Sequence, residues 1–172
     1  MVRTKLFRVA LFLIVGSVLS AAPSAALARA QKTALSGDQF ATVSGPPGSV
    51  QHAGKWTIFT NAPLAGTFEF TGDGVSLAGT LTRVVNVKID AANNGSLRGT
   101  VSYVDTKRGV TCTGFHHGKL INNFLTGKLV ASCSDGSLIR GTLQDTHITY
   151  DSHGVLVDVT THFSGTILRP SV

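Results

Sequence analysis

The residue with the clearest chemical meaning is Arg83. Between Val75 and Ile89 the chain alternates strictly, and the odd positions read Val75, Leu77, Gly79, Leu81, Arg83, Val85, Val87 and Ile89. Period two over that length is the mark of a half-buried strand, so Arg83 shares its inward face with aliphatic side chains. A cation there must reach water at a rim, pair with an acid such as Asp105, or meet a ligand. If it meets a ligand, the planar guanidinium suits a carboxylate. The same alternation turns Tyr103 inward, and sets His116 inward with His117 outward. A neutral, hydrogen-bonded histidine is the ordinary reading of His116. The other reading makes Arg83, Tyr103 and His116 the polar points of an apolar interior that binds a small molecule.

Other chemistry finds little footing. The chain has no G-x-S-x-G, no H-x-H and no H-E-x-x-H. Glu69 is the single glutamate and alternates outward. A glycosidase needs two facing carboxylates, and only Asp105 is an inward acid. Folding the last hairpin at Ser152-His153 sets His147 opposite Asp158 and His162 opposite Leu143, a surface arrangement rather than a zinc site. No catalytic residue, no metal and no cofactor is assigned.

Strands and turns must position these side chains. Turn signals recur along the chain, nearly all ending in glycine: Asp73-Gly74, Asn94-Gly95, Arg108-Gly109, Asn122-Asn123, Asp135-Gly136 and His153-Gly154. Runs rich in Val, Thr, Leu, Ile and Phe lie between them, and no sustained helical period occurs. Strands are expected near 55–60, 64–71, 75–89, 96–105, 109–121, 124–134, 137–149 and 155–168, joined as sequential antiparallel neighbours. Alternation turns Trp56, Ile58, Phe68, Phe70, Leu97, Val101, Val155, Val157, Val159, Phe163 and Ile167 inward as well. A weak repeat, G-V-S-L-A-G-T-L, G-S-L-R-G-T-V and G-S-L-I-R-G-T-L, carries one extra residue in its last copy, which suggests a bulge near Ile139-Arg140.

One hairpin is specified to the residue. Asparagine tolerates the positive φ that both central positions of a two-residue turn need, so Asn122-Asn123 sets Ile121 opposite Phe124. Counting outward places Cys112 opposite Cys133, on a non-hydrogen-bonded pair where side chains approach most closely. A disulfide across that hairpin is predicted.

Residues 1–30 read as a signal peptide: Arg3, Lys5 and Arg8 precede an apolar run from Val9 to Ala22, and Ala28-Arg29-Ala30 is a cleavage site, with Ala26-Leu27-Ala28 the alternative. The two cysteines fit an exported protein, secreted or periplasmic. After cleavage eleven basic residues face nine acidic ones, a formal net charge of +2 rather than +6. The basic residues are scattered singly, which argues against a nucleic-acid partner. No later apolar run is long enough for a transmembrane helix. Residues 31–53 lack a period and contain Pro46-Pro47-Gly48, so they read as a flexible lead-in to a domain over 54–172.

About eight long strands with one apolar face close most simply into an up-and-down all-β barrel; a two-sheet sandwich is the alternative. Gly54-Lys55-Trp56 resembles the G-x-W signature at the start of the lipocalin barrel, within the wider calycin group. That resemblance implies a secreted barrel with a cavity for a small apolar molecule, and an arginine after the last strand, here Arg169, lying against the tryptophan. Allene oxide cyclase-like barrels suit the strand pattern equally. The expected function is small-molecule binding by Arg83, Tyr103 and His116. A protein-binding or inhibitor module acting through its outer face, and a barrel cyclase or isomerase, are the alternatives; the pattern does not fix an oligomeric state.

Overall fold

The computed structural model describes residues 30–152 and 156–170. The expected signal peptide lies outside the described residues except for Ala30. Nine strands follow one another: β1 (Gln31–Val43), β2 (Ser49–Ala53), β3 (Trp56–Gly72), β4 (Val75–Ile89), β5 (Gly95–Asp105), β6 (Thr111–Ile121), β7 (Phe124–Cys133), β8 (Leu138–Tyr150) and β9 (Leu156–Arg169). From β2 onward each strand pairs antiparallel with the next, and β1 pairs with both β9 and β3. That double pairing closes a barrel of eight strands, β1 and β3 to β9, and removes the sandwich alternative. β2 lies beyond the ring, continuing the line of β1 along the first turns of β3.

Closure corrects the expected lead-in. Residues 31–43 are a barrel strand and 49–53 a short edge strand, not a flexible approach to the domain. The alternation of β1 is real, with Thr33, Leu35, Gln39 and Ala41 buried. It was hidden because three of those four are polar or small and the inward position between Leu35 and Gln39 is Gly37. A Cβ at Gly37 would stand 1.9 Å from the Glu69 carbonyl oxygen, and one at Gly66 equally close to that of Phe40. Only glycine lets β1 and β3 coil this tightly against each other.

The expected strands 55–60 and 64–71 are one strand, β3, with a register shift between Phe59 and Ala62 where Asn61 takes a φ of 51°. The shift reverses the parity of the first turns. Phe59 faces the cavity, while Ile58 lies on the outer side and Lys55 and Lys88 bring their Nζ atoms over the Trp56 ring. Arg169 pairs with Gln31, beside the far end of β3 from Trp56. The tryptophan–arginine contact of the lipocalin pattern is therefore absent, although the closed barrel itself is compatible with that pattern.

The β6–β7 hairpin follows the sequence reading. Ile121 faces Phe124 and Cys112 faces Cys133, with the two cysteines joined as a disulfide and their Cα atoms 3.8 Å apart. Asn122 and Asn123 both have positive φ. The bulge expected at Ile139-Arg140 is not there: β7 and β8 pair continuously through Ala131–Ile139 and Val130–Arg140. The extra residue is taken up by the turn, where Cys133 and Ser137 close the loop. The irregularity of β8 falls instead between Asp145 and His147. A second shift lies between Thr149 and Tyr150, and in the register that results His162 faces Gln144 and His147 faces Thr160, which corrects the last hairpin. Val159, Phe163 and Ile167 point in as expected, while Val157 is exposed at the rim. Val155 lies outside the described residues.

The interior has two unlike halves. At the end holding the disulfide, Phe68, Phe70, Tyr103 and Phe163 pack ring on ring with centroids 4.8–5.6 Å apart. Leu77, Leu81, Ile139 and Ile167 fill the space around them. Each such side chain contributes on the order of 1.5–3 kcal/mol by leaving water. Toward the other end the inward residues are shorter, and the barrel is not filled.

Candidate functional site

The unfilled half is a cavity of about 620 Å³. Its walls are Val85, Val87 and Ile89 from β4, Leu97 from β5, Leu120 from β6 and Ile148 from β8. Pro47, Asn93, Asn123 and Tyr150 stand around its mouth. The mouth is braced on one side: Asn123 donates its amide to the Asn93 carbonyl, and Asn122 donates to Asn94 Oδ1 at 3.0 Å. This ties the β4–β5 and β6–β7 turns together.

Polar groups form the floor, at the boundary with the aromatic cluster. Arg83 is 5% exposed and lies between Leu64 of β3 and Val101 of β5. Its Nη2 donates to Gln39 Oε1. The Tyr103 hydroxyl donates to the same oxygen at 3.0 Å. Among the described residues, Arg83 Nε, Gln39 Nε2 and both ring nitrogens of His116 have no hydrogen-bond partner. No carboxylate of the described residues stands within ion-pair distance of Arg83. Asp105 does not serve, because its Oδ2 accepts from Arg108 Nε at 2.7 Å in the β5–β6 turn.

Asp145 is the nearby acid, and it is committed elsewhere. It keeps the inward phase of Ile139 and Leu143, and its carboxylate accepts from the Leu125 amide at 2.9 Å and the Thr161 hydroxyl at 2.8 Å. Burial pushes its carboxyl above the usual range, against those two hydrogen bonds and the Arg83 charge. Burial likewise lowers His116, helped by the Arg83 and His117 charges, to about 3 from 6.5, so the imidazole is neutral near pH 7. Tyr103 is pushed up by burial and stays a hydroxyl. The floor at neutral pH is thus one guanidinium, one neutral imidazole, amide and hydroxyl groups, and the Asp145 carboxyl held by Leu125 and Thr161. Arg83 and His116 present parts of their side chains to whatever occupies the cavity, while Arg83 Nε, Gln39 Nε2 and the two His116 ring nitrogens are covered by protein.

Arg83, Tyr103 and His116, singled out from the sequence, converge here. Arg83 and His116 line the cavity, and Tyr103 supports them from below through Gln39. Gln39, Asp145 and Thr161 were missed. Gln39 sits in the stretch read as a lead-in, and Asp145 in the strand whose inward phase the bulge expected at Ile139-Arg140 left open.

The outer face carries a second arrangement. Ser36 Oγ lies 3.2 Å from His162 Nε2, and His162 Nδ1 lies 2.7 Å from Asp38 Oδ1. This is the order of contacts in a serine-hydrolase triad. Yet β1 is paired on both sides at Ser36, with Thr71 and with Ser164. Its amides are spent in the ladder, so no oxyanion donor accompanies the hydroxyl. Phe115 and Val130 form an exposed cross-strand pair elsewhere on the outer face, with Phe115 70% exposed. No helix is long and apolar enough to cross a membrane, and no group of three or more metal-ligating side chains occurs among the described residues. No family model, no curated protein and no solved structure matches this chain.

Proposed function

We propose that the chain is an exported barrel that binds a small apolar or amphipathic molecule in its open half, with an anionic or strongly polar end at Arg83. One observation carries the reading: a cavity of about 620 Å³ whose floor holds a buried cation with no carboxylate within ion-pair distance among the described residues. An uncompensated buried charge is costly, and an apolar void forfeits packing on every wall. A ligand relieves both. Pockets of this size, mostly apolar with a few convergent polar groups, are typical of small-molecule sites. The Cys112–Cys133 disulfide is compatible with export, which the basic and apolar start of the chain also favours.

Titration with the neutral reporter N-phenyl-1-naphthylamine tests this directly. Fluorescence should rise with the native protein and not with the triple variant Val85→Trp/Val87→Trp/Leu120→Trp, whose three indoles take up most of the cavity. Equal enhancement by both proteins would place the dye outside the barrel and overturn the reading. The alternative role, docking to another protein through the outer face, draws on the exposed Phe115–Val130 pair. Loss of a partner on Phe115→Ser, with dye binding unchanged, would favour it.

A further inference from the structure

The dimensions of the cavity and the chemistry of its floor specify a narrower ligand class, which rests on the binding role proposed above. On β4 the cavity extends from Arg83 to Ile89, six residues along the strand. At about 3.3 Å per residue and a tilt of about 40°, that is about 15 Å along the barrel axis. An extended chain covers about 1.2 Å per bond, since a residue of three bonds spans at most about 3.6 Å. A linear ligand standing on Arg83 therefore reaches the mouth after about twelve bonds.

The volume asks for more atoms than that. A 150 Å³ apolar cavity holds one benzene, or about 25 Å³ per carbon. At the same occupancy, 620 Å³ takes about 25 carbons. A single straight chain of the right length would leave about half of the space empty. A molecule that meets both limits is as long as a dodecyl chain and about twice as thick.

The floor sets the other end. Arg83 and His116 line the floor, and the Arg83 guanidinium has no carboxylate within ion-pair distance among the described residues. With Arg83 as the only cation among the described residues that line the cavity, and Asp145 already held by Leu125 and Thr161, the matching head is a single carboxylate. We infer that the cavity takes a bulky alicyclic monocarboxylic acid of about twenty to twenty-five carbons, carboxylate down on Arg83 and fused rings against Val85, Val87, Leu97 and Leu120.

Calorimetric titration of the native protein with four probes tests it: abietic acid, its methyl ester, deoxycholate and dodecanoate. The ring acids should bind at least tenfold more tightly than dodecanoate. The methyl ester should bind at least tenfold more weakly than abietic acid, and Arg83→Gln should erase that difference. The ester comparison needs no variant, so it decides the head-group assignment even if Arg83→Gln fails to fold. Dodecanoate binding as tightly as the ring acids would overturn the ring class while leaving the binding role intact. Equal binding of acid and ester would overturn the contact to Arg83. If none of the four probes binds and the naphthylamine reporter also fails, the binding role falls with it; reporter binding without any of the acids refutes this ligand class alone.

Discussion

His116→Leu should flatten the acid limb of the stability profile. In the folded protein the imidazole is 2% exposed, has no hydrogen-bond partner among the described residues and shares the floor with a guanidinium. Burial and the Arg83 and His117 charges hold its pKa at about 3, against 6.5 for an ordinary histidine. Below about pH 6.5 the unfolded chain takes up a proton that the native chain refuses. Stability is therefore fully present above that pH and is lost progressively as pH falls toward about 3. Each pH unit in that window costs about 1.4 kcal/mol, so His116 alone removes about 2 kcal/mol between pH 7 and pH 5. The figure at pH 5 is insensitive to the folded value as long as that value is well below 5. Asp145 acts with the opposite sign, because its raised pKa lets the native state keep a proton that the unfolded state has released. The difference between native protein and variant isolates His116. Leucine abandons no hydrogen bond, so stability at pH 7 should change by less than about 1 kcal/mol. Urea unfolding at pH 7, 6 and 5, with the disulfide kept intact, reads the effect. Parallel profiles for the two proteins would refute the burial of a neutral imidazole at this position.

Other perturbations probe the remaining parts of the account. Arg83→Leu strands no ion-paired carboxylate, so melting should stay near the native value while affinity for an anionic ligand drops by about 1.5–3 kcal/mol; calorimetry and thermal unfolding on the same sample check both. A steep loss of stability would mean that an acid balances Arg83 after all. Gly66→Ala places a methyl group against the Phe40 carbonyl at the β1–β3 seam, and should cost about 1–3 kcal/mol in urea unfolding. Phe70→Ala opens the aromatic cluster and should cost about 3–5 kcal/mol by the same assay. Peptide mapping without reductant should recover Cys112 and Cys133 in one linked species, and replacing both by serine should remove up to about 3 kcal/mol.

Much of the wall was legible because β4 to β7 obey a two-residue period and are joined by short turns that leave little choice of register. Asn122-Asn123 fixed the cysteine pairing for that reason. Legibility failed where the ladder breaks its own rule. In β1 the inward positions carry Gly37 and Gln39, so the strand that closes the barrel lacked an apolar stripe. In β3 the turn of backbone at Asn61 exchanged the faces of Trp56 and Phe59. In β8 Asp145 keeps the inward phase of Ile139 and Leu143, and the bulge expected at Ile139-Arg140 left that phase open, hiding the acid nearest the floor. Arg83, Tyr103 and His116 could be picked out because each interrupts a clean apolar face. Their companions could not, since Gln39 and Thr161 reach the floor only through the β1–β9 pairing, which joins the two ends of the chain. How much of the barrel is empty was not in the pattern either. Alternation says which side chains point in, and not whether they meet.

The central claim, that an occupant of the open half is held at Arg83, is tested most directly by the Nε–Hε resonance of that arginine in proton–nitrogen correlation spectra, assigned by its loss in Arg83→Lys. Among the described residues, Nε has no hydrogen-bond partner. Addition of abietic acid should move the resonance as the carboxylate pairs with the guanidinium, and the methyl ester should leave it in place. Binding of the acid with an unmoved Arg83 resonance would contradict the account.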